Sequence, residues 1–465
     1  MSNLHVIILA AGQGTRMKSA LPKVLHAIAG KPMLGHVLDT ARGIAAGACH
    51  VVYGHGGDQV QAWHAAAHPD DLSVRWAHQA KQLGTGHAVN QAAPQVPDDA
   101  TILIAYGDVP LISTETLTAL AAAGAESLAV VTVSLAQPRG YGRILRNAAG
   151  EVTGIVEEND ADDTQRLINE VNTGLMAAPA RLLKPWLQRI GNGNKKGEYY
   201  LTDIVGFAVS DGIAVKTVNA QDAAEVEGVN DRVQLAQQER AYQQRQAVRL
   251  MREGVQFADP SRFDLRGLLL AGKDVFIDVG VIIEGVCELG DGVRVGAYSV
   301  LKNVTLGANT QVLTHSVLEG LKAGANCRIG PFARVRPDSL FADEVHIGNF
   351  VEVKKGQLGE ATKAGHLAYI GDAMVGARVN ISAGVITCNY DGVNKHLTVI
   401  GDDAFIGTDS QLVAPVTIER NAYVAAGSTI TKTAPADALT ICRARDQKSI
   451  AGWKKPKRKD RQPDA

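Results

Sequence analysis

No two of the five cysteines, Cys49, Cys287, Cys327, Cys388 and Cys442, have C-x-x-C spacing, and their number is odd. That argues against a disulfide framework and a structural zinc site, and it fits a reducing compartment. No apolar run approaches the roughly 20 residues of a membrane span. Net charge is −1 over 465 residues, so neither sign is in the excess that generalised nucleic-acid or membrane-surface binding needs. A basic n-region is missing as well. The apolar run from Val6 leads straight into a glycine loop, which reads as a buried first strand rather than a signal peptide. The expectation is a soluble, cytoplasmic protein. One basic cluster, Lys454-Lys455-Pro456-Lys457-Arg458-Lys459, reads as a solvated tail. Aromatics are only 5% of the chain while glycines number 48, the balance expected where tight corners recur.

What is abundant is a beat of six. Ile400, Ile406, Leu412, Ile418, Val424 and Ile430 follow one another at that interval, often with a small residue next. Six matches neither the 3.6 of a helix nor the 2 of a single strand, and a hexapeptide repeat predicts a parallel β-helix. The beat continues upstream through Ile283, Leu289, Val295, then Val300, Leu306, Val312, Leu318, then Ile329, Val335, Phe341, Ile347, Val353. Slips of five fall at those junctions and at Leu358 and Val375, where loops are expected. Three hexads close one coil, so about 180 residues give on the order of ten coils stacked ~4.8 Å apart. The break Thr387–His396 reads as a long loop, and since proteins of this hexapeptide type resemble trimeric acyltransferases, that resemblance implies that it reaches across to a neighbouring prism.

The first half has another pattern. His5–Ala10 reads as a buried parallel strand, and the loop after it, Ala11-Gly12-Gln13-Gly14-Thr15-Arg16-Met17, offers backbone N–H groups to an anion. Neither the dinucleotide fingerprint nor the Walker A pattern fits, because Met17 replaces the third glycine and no Gly-Lys-Ser/Thr follows. Arg16 and Lys23 at the loop's exit suit a triphosphate. Strand patterns at Ile102–Ala105 and Leu128–Val133 alternate with helical ones, predicting an α/β doubly wound sheet. Asp108 ends such a strand and is a candidate ligand for a hard cation, with a turn residue before Val109-Pro110 as the plainer alternative. Asp231–Glu253 has neither Gly nor Pro and is polar nearly all round, which predicts a solvated helical arm. The expected organisation is an α/β nucleotide-binding domain over 1–232, a helical linker over 233–253, and a left-handed parallel β-helix over 254–465.

The Leu-Ala-Ala-Gly-Gln-Gly-Thr-Arg-Met loop with Leu21-Pro22-Lys23 resembles the sugar-nucleotide pyrophosphorylases. Gln79–Ala88, Gly140–Ile144, Ile155–Glu158, Val171–Gly174 and Glu227–Asn230 match that family's later segments in order. The resemblance implies contacts to UTP or UDP-N-acetylglucosamine from Leu9, Ala10, Ala11, Gly12, Lys23, Gln79, Gly84, Thr85, Tyr106, Gly107, Asp108, Gly142, Glu157, Asn172 and Asn230. It implies one or two Mg²⁺ ions at Asp108 and Asn230, with Arg16 and Lys23 neutralising phosphate charge. Asn230 also reads as a helix N-cap.

In the last third, Arg336, Lys354 and Lys355 form a cationic set suited to a phosphate, His366 is a candidate base, and Glu352 a candidate to orient it. Gly330–Arg443 resembles the acetyltransferase half of the bacterial bifunctional N-acetylglucosamine-1-phosphate uridyltransferases/glucosamine-1-phosphate acetyltransferases, which supply cell-wall and lipopolysaccharide precursors. That implies His366 as general base, Arg336, Lys354, Tyr369 and Asn380 as glucosamine-1-phosphate contacts, and Ala383, Asn389, Tyr390, Thr408, Ala426 and Arg443 as acetyl-CoA contacts. Thr408 stands where the family usually has Ser. The resemblance also implies a homotrimer with acetyl transfer sites between prisms. Two rivals remain open: a pyrophosphorylase with an inert or regulatory β-helix, and a non-catalytic exchange-factor scaffold.

Overall fold

The computed structural model describes residues 3–44 and 46–443, so the basic cluster Lys454–Lys459 lies outside the described residues. The chain divides into two compact units, Met1–Val248 and Arg249–Ala465.

In the first unit, strand β1 (Leu4–Ala10) is buried at every position and forms the middle of a sheet. Its alternate residues serve two cores. Ile7 and Leu9 belong to one apolar cluster, Val6 and Ile8 to another, as the two-residue period of a strand requires. Strand β2 (Ala48–Tyr53) and, beyond it, β3 (Val74–His78) lie parallel on one side. Strand β4 (Thr101–Tyr106) lies parallel on the other. Further out come β5 (Leu128–Ser134), the hairpin β6 (Arg143–Arg146) and β7 (Val152–Val156), then β8 (Glu170–Pro179) and β9 (Val215–Asn219). The order is β9-β5-β8-β4-β1-β2-β3, with the hairpin attached to β8. Strand β8 runs antiparallel to both β4 and β5, so the sheet is mixed. The C-terminal ends of β1 and β4 deliver the glycine loop and Asp108 to the same edge, the edge on which open α/β sheets bind ligands.

At the opposite end of β1, His5 Nδ1 and His50 Nε2 are 3.0 Å apart in the core. Burial pushes the fully buried His50 down to about 4. An unfolded imidazole takes up a proton near pH 6.5, whereas the native one stays neutral until about pH 4. The unfolded state therefore binds more protons in that window, and stability present above about pH 6.5 falls as pH drops toward 4. From pH 7 to 5, His50 should account for a loss of about 2 kcal/mol. Urea unfolding followed through Trp63, Trp76 and Trp186 should show His50→Gln losing that much less than the wild type over this interval. An unchanged acid dependence would contradict the assignment.

The polar helix predicted after Asp231 spans Arg232–Arg252, but it is not a solvated arm. Gln238, Gln243, Ala247 and Leu250 are buried. Within the first unit, Glu239 accepts the Ala29 N–H at 2.7 Å, Arg245 donates to the Leu111 carbonyl at 2.7 Å, and Arg232 donates to the Met17 carbonyl. Long polar side chains dock this helix by satisfying backbone groups of neighbouring loops, a role that a hydrophobicity pattern does not register.

The second unit is a left-handed β-helix whose strands stack in parallel register. One file of strands runs from Gln256 through Phe276, Arg294, Gln311, Arg328, His346, Lys363, Asn380, Phe405 and Tyr423 to Leu439. Each aliphatic of the beat from Ile400 to Ile430 is buried. One assignment upstream changes: Leu301, fully buried, fills the core where Val300 was expected, so the slip of five follows Leu301 rather than Val295. The glycine that follows several of these aliphatics has a steric cause. A Cβ on Gly407 would lie 2.4 Å from the Ala426 nitrogen of the next coil, and one on Gly376 would lie 2.6 Å from the Asp402 nitrogen. Along one corner the rings of Tyr298, His315, Phe332 and Phe350 follow one another with centroids 5.3, 5.1 and 5.3 Å apart. Tyr298, Phe332 and Phe350 are exposed, as is Leu367, which occupies the next rung.

Candidate functional site

Each unit carries a constellation of its own. In the first, a cleft of about 250 Å³ opens at the sheet's C-terminal edge. Leu9, Ala10, Ala11, Gly12, Lys23, Gln79, Gly84, Thr85, Tyr106 and Asp108 line it, together with Gln82 and Glu198, which sequence reasoning left without a role. Gly14 lets the loop close on Lys23, since a Cβ there would meet the Lys23 Cβ at 2.7 Å. Lys23 is ion-paired with Asp108, and its Nζ lies 3.5 Å from Asn230 Oδ1. Two oxygen donors from distant parts of the chain thus converge on one positive charge. That donor set fits Mg²⁺, which needs only one or two side-chain oxygens and takes the rest from water and phosphate. Arg16, by contrast, is exposed beside the loop and makes no ion pair among the described residues.

Gln79 is almost wholly buried, and its Nε2 is occupied by the Gly84 carbonyl at 3.2 Å and by His87 Nδ1 at 3.0 Å. Its Oε1 is therefore the atom left to accept a hydrogen bond from a ligand. Gly84 has φ +116°, and a Cβ there would fall 2.6 Å from the Tyr199 carbonyl oxygen, so only glycine fits this entry to the helix Thr85–Ala92. Gly142, Glu157 and Asn172 form a second cluster around the hairpin. The Asn172 N–H donates to the Gly142 carbonyl at 2.9 Å, and its Oδ1 accepts from Gly174 N–H. A Cβ on Gly142 would stand 3.5 Å from both Glu157 carboxylate oxygens. Burial holds the Glu157 carboxyl above its ordinary range, opposed by the Thr202 hydroxyl that donates to it at 3.0 Å. Tyr106 joins the clusters: burial raises its phenol, and the charges of Asp108 and Glu157 push it the same way. Gly107 packs beneath, against Val24 and Ala10.

In the second unit, register does the assembling. Asn349 stands opposite His366, and continuing the pairing one coil at a time brings Ala383, Thr408 and Ala426 into the same file. Arg443 closes it, with its Nε donating to the Ala426 carbonyl at 2.6 Å. His366, Thr408 and Ala426 are exposed. The orienting group for His366 is Asn349, not Glu352: Asn349 Oδ1 lies 2.9 Å from His366 Nδ1. This bond puts the proton on Nδ1 and leaves the Nε2 lone pair available. Glu352 is instead bound to Arg336 at 3.1 Å. Lys354 pairs with Asp372 at 3.3 Å, and Lys355 lies 3.9 Å from Asp338. Tyr369 follows Glu352 in register, and its hydroxyl lies over Gly371. Asn380 donates to Ser382 Oγ at 3.2 Å.

The 387–396 break lengthens one coil: the step from Asn380 to Phe405 is 25 residues where its neighbours take 17 or 18. The excess forms a loop braced by its own side chains. Tyr390 bridges to Lys395, whose ammonium lies 4.4 Å from the tyrosine ring centroid. Asp391 accepts the N–H groups of Val393 and Asn394 and a hydrogen bond from His396, and these hold its carboxyl far below the usual range.

Residues 6–180 match the model of the MobA-like NTP transferase domain, and residues 397–432 match the bacterial transferase hexapeptide repeat. Over 453 residues the chain is 55% identical to the bifunctional protein GlmU of Alkalilimnicola ehrlichii, covering 97% of this chain and 96% of that one. It is 54% identical to those of Nitrosospira multiformis, with 99% of each chain covered, and Aromatoleum aromaticum, with 98% and 99% covered.

Proposed function

The chain belongs to the family of bifunctional GlmU proteins, and from that membership we propose a two-site enzyme that makes UDP-N-acetylglucosamine. The β-helix transfers an acetyl group from acetyl-CoA to the amine of glucosamine-1-phosphate. The α/β unit then transfers a uridylyl group from UTP to N-acetylglucosamine-1-phosphate and releases pyrophosphate. The observation that carries this reading is that one chain has both a cleft lined by Lys23 and Asp108, with Asn230 beside Lys23, and an exposed imidazole whose tautomer is fixed by Asn349. An inert coil has no use for an oriented, solvent-facing base.

At the acetyl transfer site, His366 Nε2 takes a proton from the 2-amino group as the amine attacks the thioester carbonyl, and Asn349 steadies the imidazolium through Nδ1. Arg336, Lys354, Tyr369 and Asn380 bind the sugar phosphate. Ala383, Thr408, Ala426 and Arg443 line a track for acetyl-CoA along the prism edge, flanked by Asn389 and Tyr390. Cys388 is not needed: burial holds its thiol above the ordinary value, which disfavours the thiolate.

At the uridylyl transfer site, a sugar-1-phosphate is already a nucleophile, and the chain's task is alignment and charge neutralisation. The loop amides, Lys23 and Arg16 meet the triphosphate. Gln79 Oε1 faces the N3–H of uracil, while Gly142, Glu157 and Asn172 hold the N-acetylglucosamine part. Asp108 and Asn230 would hold Mg²⁺, which would supply positive charge against the phosphate oxygens. The exposed file Tyr298–His315–Phe332–Phe350–Leu367 lies next to the file bearing His366, and it supports a homotrimer whose prisms meet along it.

The deciding experiment is a paired assay on the wild-type chain. CoA release from acetyl-CoA with glucosamine-1-phosphate, and pyrophosphate release from UTP with N-acetylglucosamine-1-phosphate, should both be observed. Pyrophosphate release alone would favour an inert prism, and neither activity would leave the scaffold reading.

A further inference from the structure

Lys354 and Asn389 serve different proposed ligands, the acceptor's phosphate and the acyl-CoA, yet they meet on a single oxygen. Asp372 Oδ2 lies 3.3 Å from Lys354 Nζ and accepts the side-chain N–H of Asn389. The ion pair is sheltered, with side-chain exposures of 16% for Lys354 and 18% for Asp372, and Asn389 is buried. The carboxylate sits on a fixed support. Thr387 Oγ1 accepts the Gly371 N–H at 2.7 Å and donates to the Gly371 carbonyl at 3.0 Å, bracing the peptide just before Asp372. Asn389 is the root of the inserted loop, and its carbonyl accepts the His396 N–H at 2.8 Å where the loop returns. An ionised oxygen shared between two donors binds each less firmly than it would bind either alone, and a change at one donor is felt at the other.

We infer that Asp372 is a positioning residue that couples the two substrate subsites of the acetyl transfer site. A sugar phosphate engaging Lys354 draws the ammonium from Oδ2, and Oδ2 then holds Asn389, and with it the loop root, more firmly against the CoA track. Linkage makes the effect reciprocal, so each substrate raises the affinity for the other. The inference rests on the acetyltransferase reading above.

The test uses full-length enzyme and CoA, which binds without reacting. Its dissociation constant is measured by calorimetry with and without saturating glucosamine-1-phosphate, after acetyl transfer by the wild type has been verified. The wild type should bind CoA about 5-fold or more tightly when the sugar phosphate is present. In Asp372→Ala and Asp372→Asn that ratio should fall to one, and Asp372→Glu should restore part of it. A purely structural role would weaken both ligands and leave the ratio where it was. Uridylyl transfer serves as the folding control, and if Asp372→Ala fails it, the isosteric Asp372→Asn carries the comparison. A ratio of one in the wild type, or a ratio that survives in Asp372→Asn, overturns the coupling. A wild type with no acetyl transfer at all overturns the acetyltransferase reading and the coupling with it.

Discussion

Replacing His366 by alanine should lower acetyl transfer about 10²–10⁴-fold, the range for removal of a positioned general base, and leave pyrophosphate release unchanged. The expectation follows from two features. Nδ1 is committed to Asn349, so Nε2 is the only ring nitrogen free to take the amine's proton. The imidazole is also exposed and fills no core volume, so its removal opens no cavity and the coil should fold as before. The loss should therefore appear in kcat, with acetyl-CoA still bound. Asn349→Ala should fall between the wild type and His366→Ala, because the base remains but its tautomer is no longer set. Loss of both activities in a folded His366→Ala protein would refute the two-site assignment.

Asp108→Ala should act in the opposite sense, lowering uridylyl transfer by roughly 10²–10³-fold, the equivalent of several kcal/mol of lost charge stabilisation at the phosphates. It removes one of the two oxygens that converge on the Lys23 ammonium and frees that ammonium from its ion pair. Asp108→Asn separates the two effects, since it keeps an oxygen and loses the charge. If metal affinity depends on that charge, both variants should require more Mg²⁺ for half-maximal rate, Asp108→Asn less so. Acetyl transfer should continue at the wild-type rate in both, and it reports that the chain has folded. Unchanged uridylyl transfer in Asp108→Ala would remove Asp108 from the metal site.

The β-helix was legible because its rule is local: one aliphatic residue per six faces the core, and a small residue follows where the next coil's backbone approaches. The rule blurs where two aliphatics are adjacent, as at Val300 and Leu301, and there the choice depends on a slip that only the stacked coils define. The strand β1 and its loop were legible for a similar reason, since an unbroken apolar run ending in glycines has few other uses. The antiparallel insertion of β8 left no such mark.

In the second unit, the site residues that escaped sequence reasoning are those joined by stacking. Asn349 is 17 positions before His366, one coil away, and nothing near it in sequence announces a partner. Glu352 was the more obvious carboxylate, but its charge is taken by Arg336. Asp372 drew no role from the sequence, because its two partners come from the coil before it and from the base of a loop after it. The docked helix Arg232–Arg252 shows the same limit from the energetic side: Glu239 and Arg245 bind backbone atoms more than 100 residues away.

If prisms meet along the exposed ring file beside His366, as proposed above, the two chemistries would respond differently to dilution. Every group assigned to uridylyl transfer comes from a single chain, so its turnover per chain is independent of how many copies are nearby. An acetyl site closed by a neighbouring prism along Tyr298–Leu367 exists only in proportion to the assembled fraction, which falls by mass action as protein becomes scarce. With a site shared in that way, the balance between making N-acetylglucosamine-1-phosphate and consuming it would be set by how much of the enzyme is present, and at low abundance the chain would act as a nucleotidyltransferase alone.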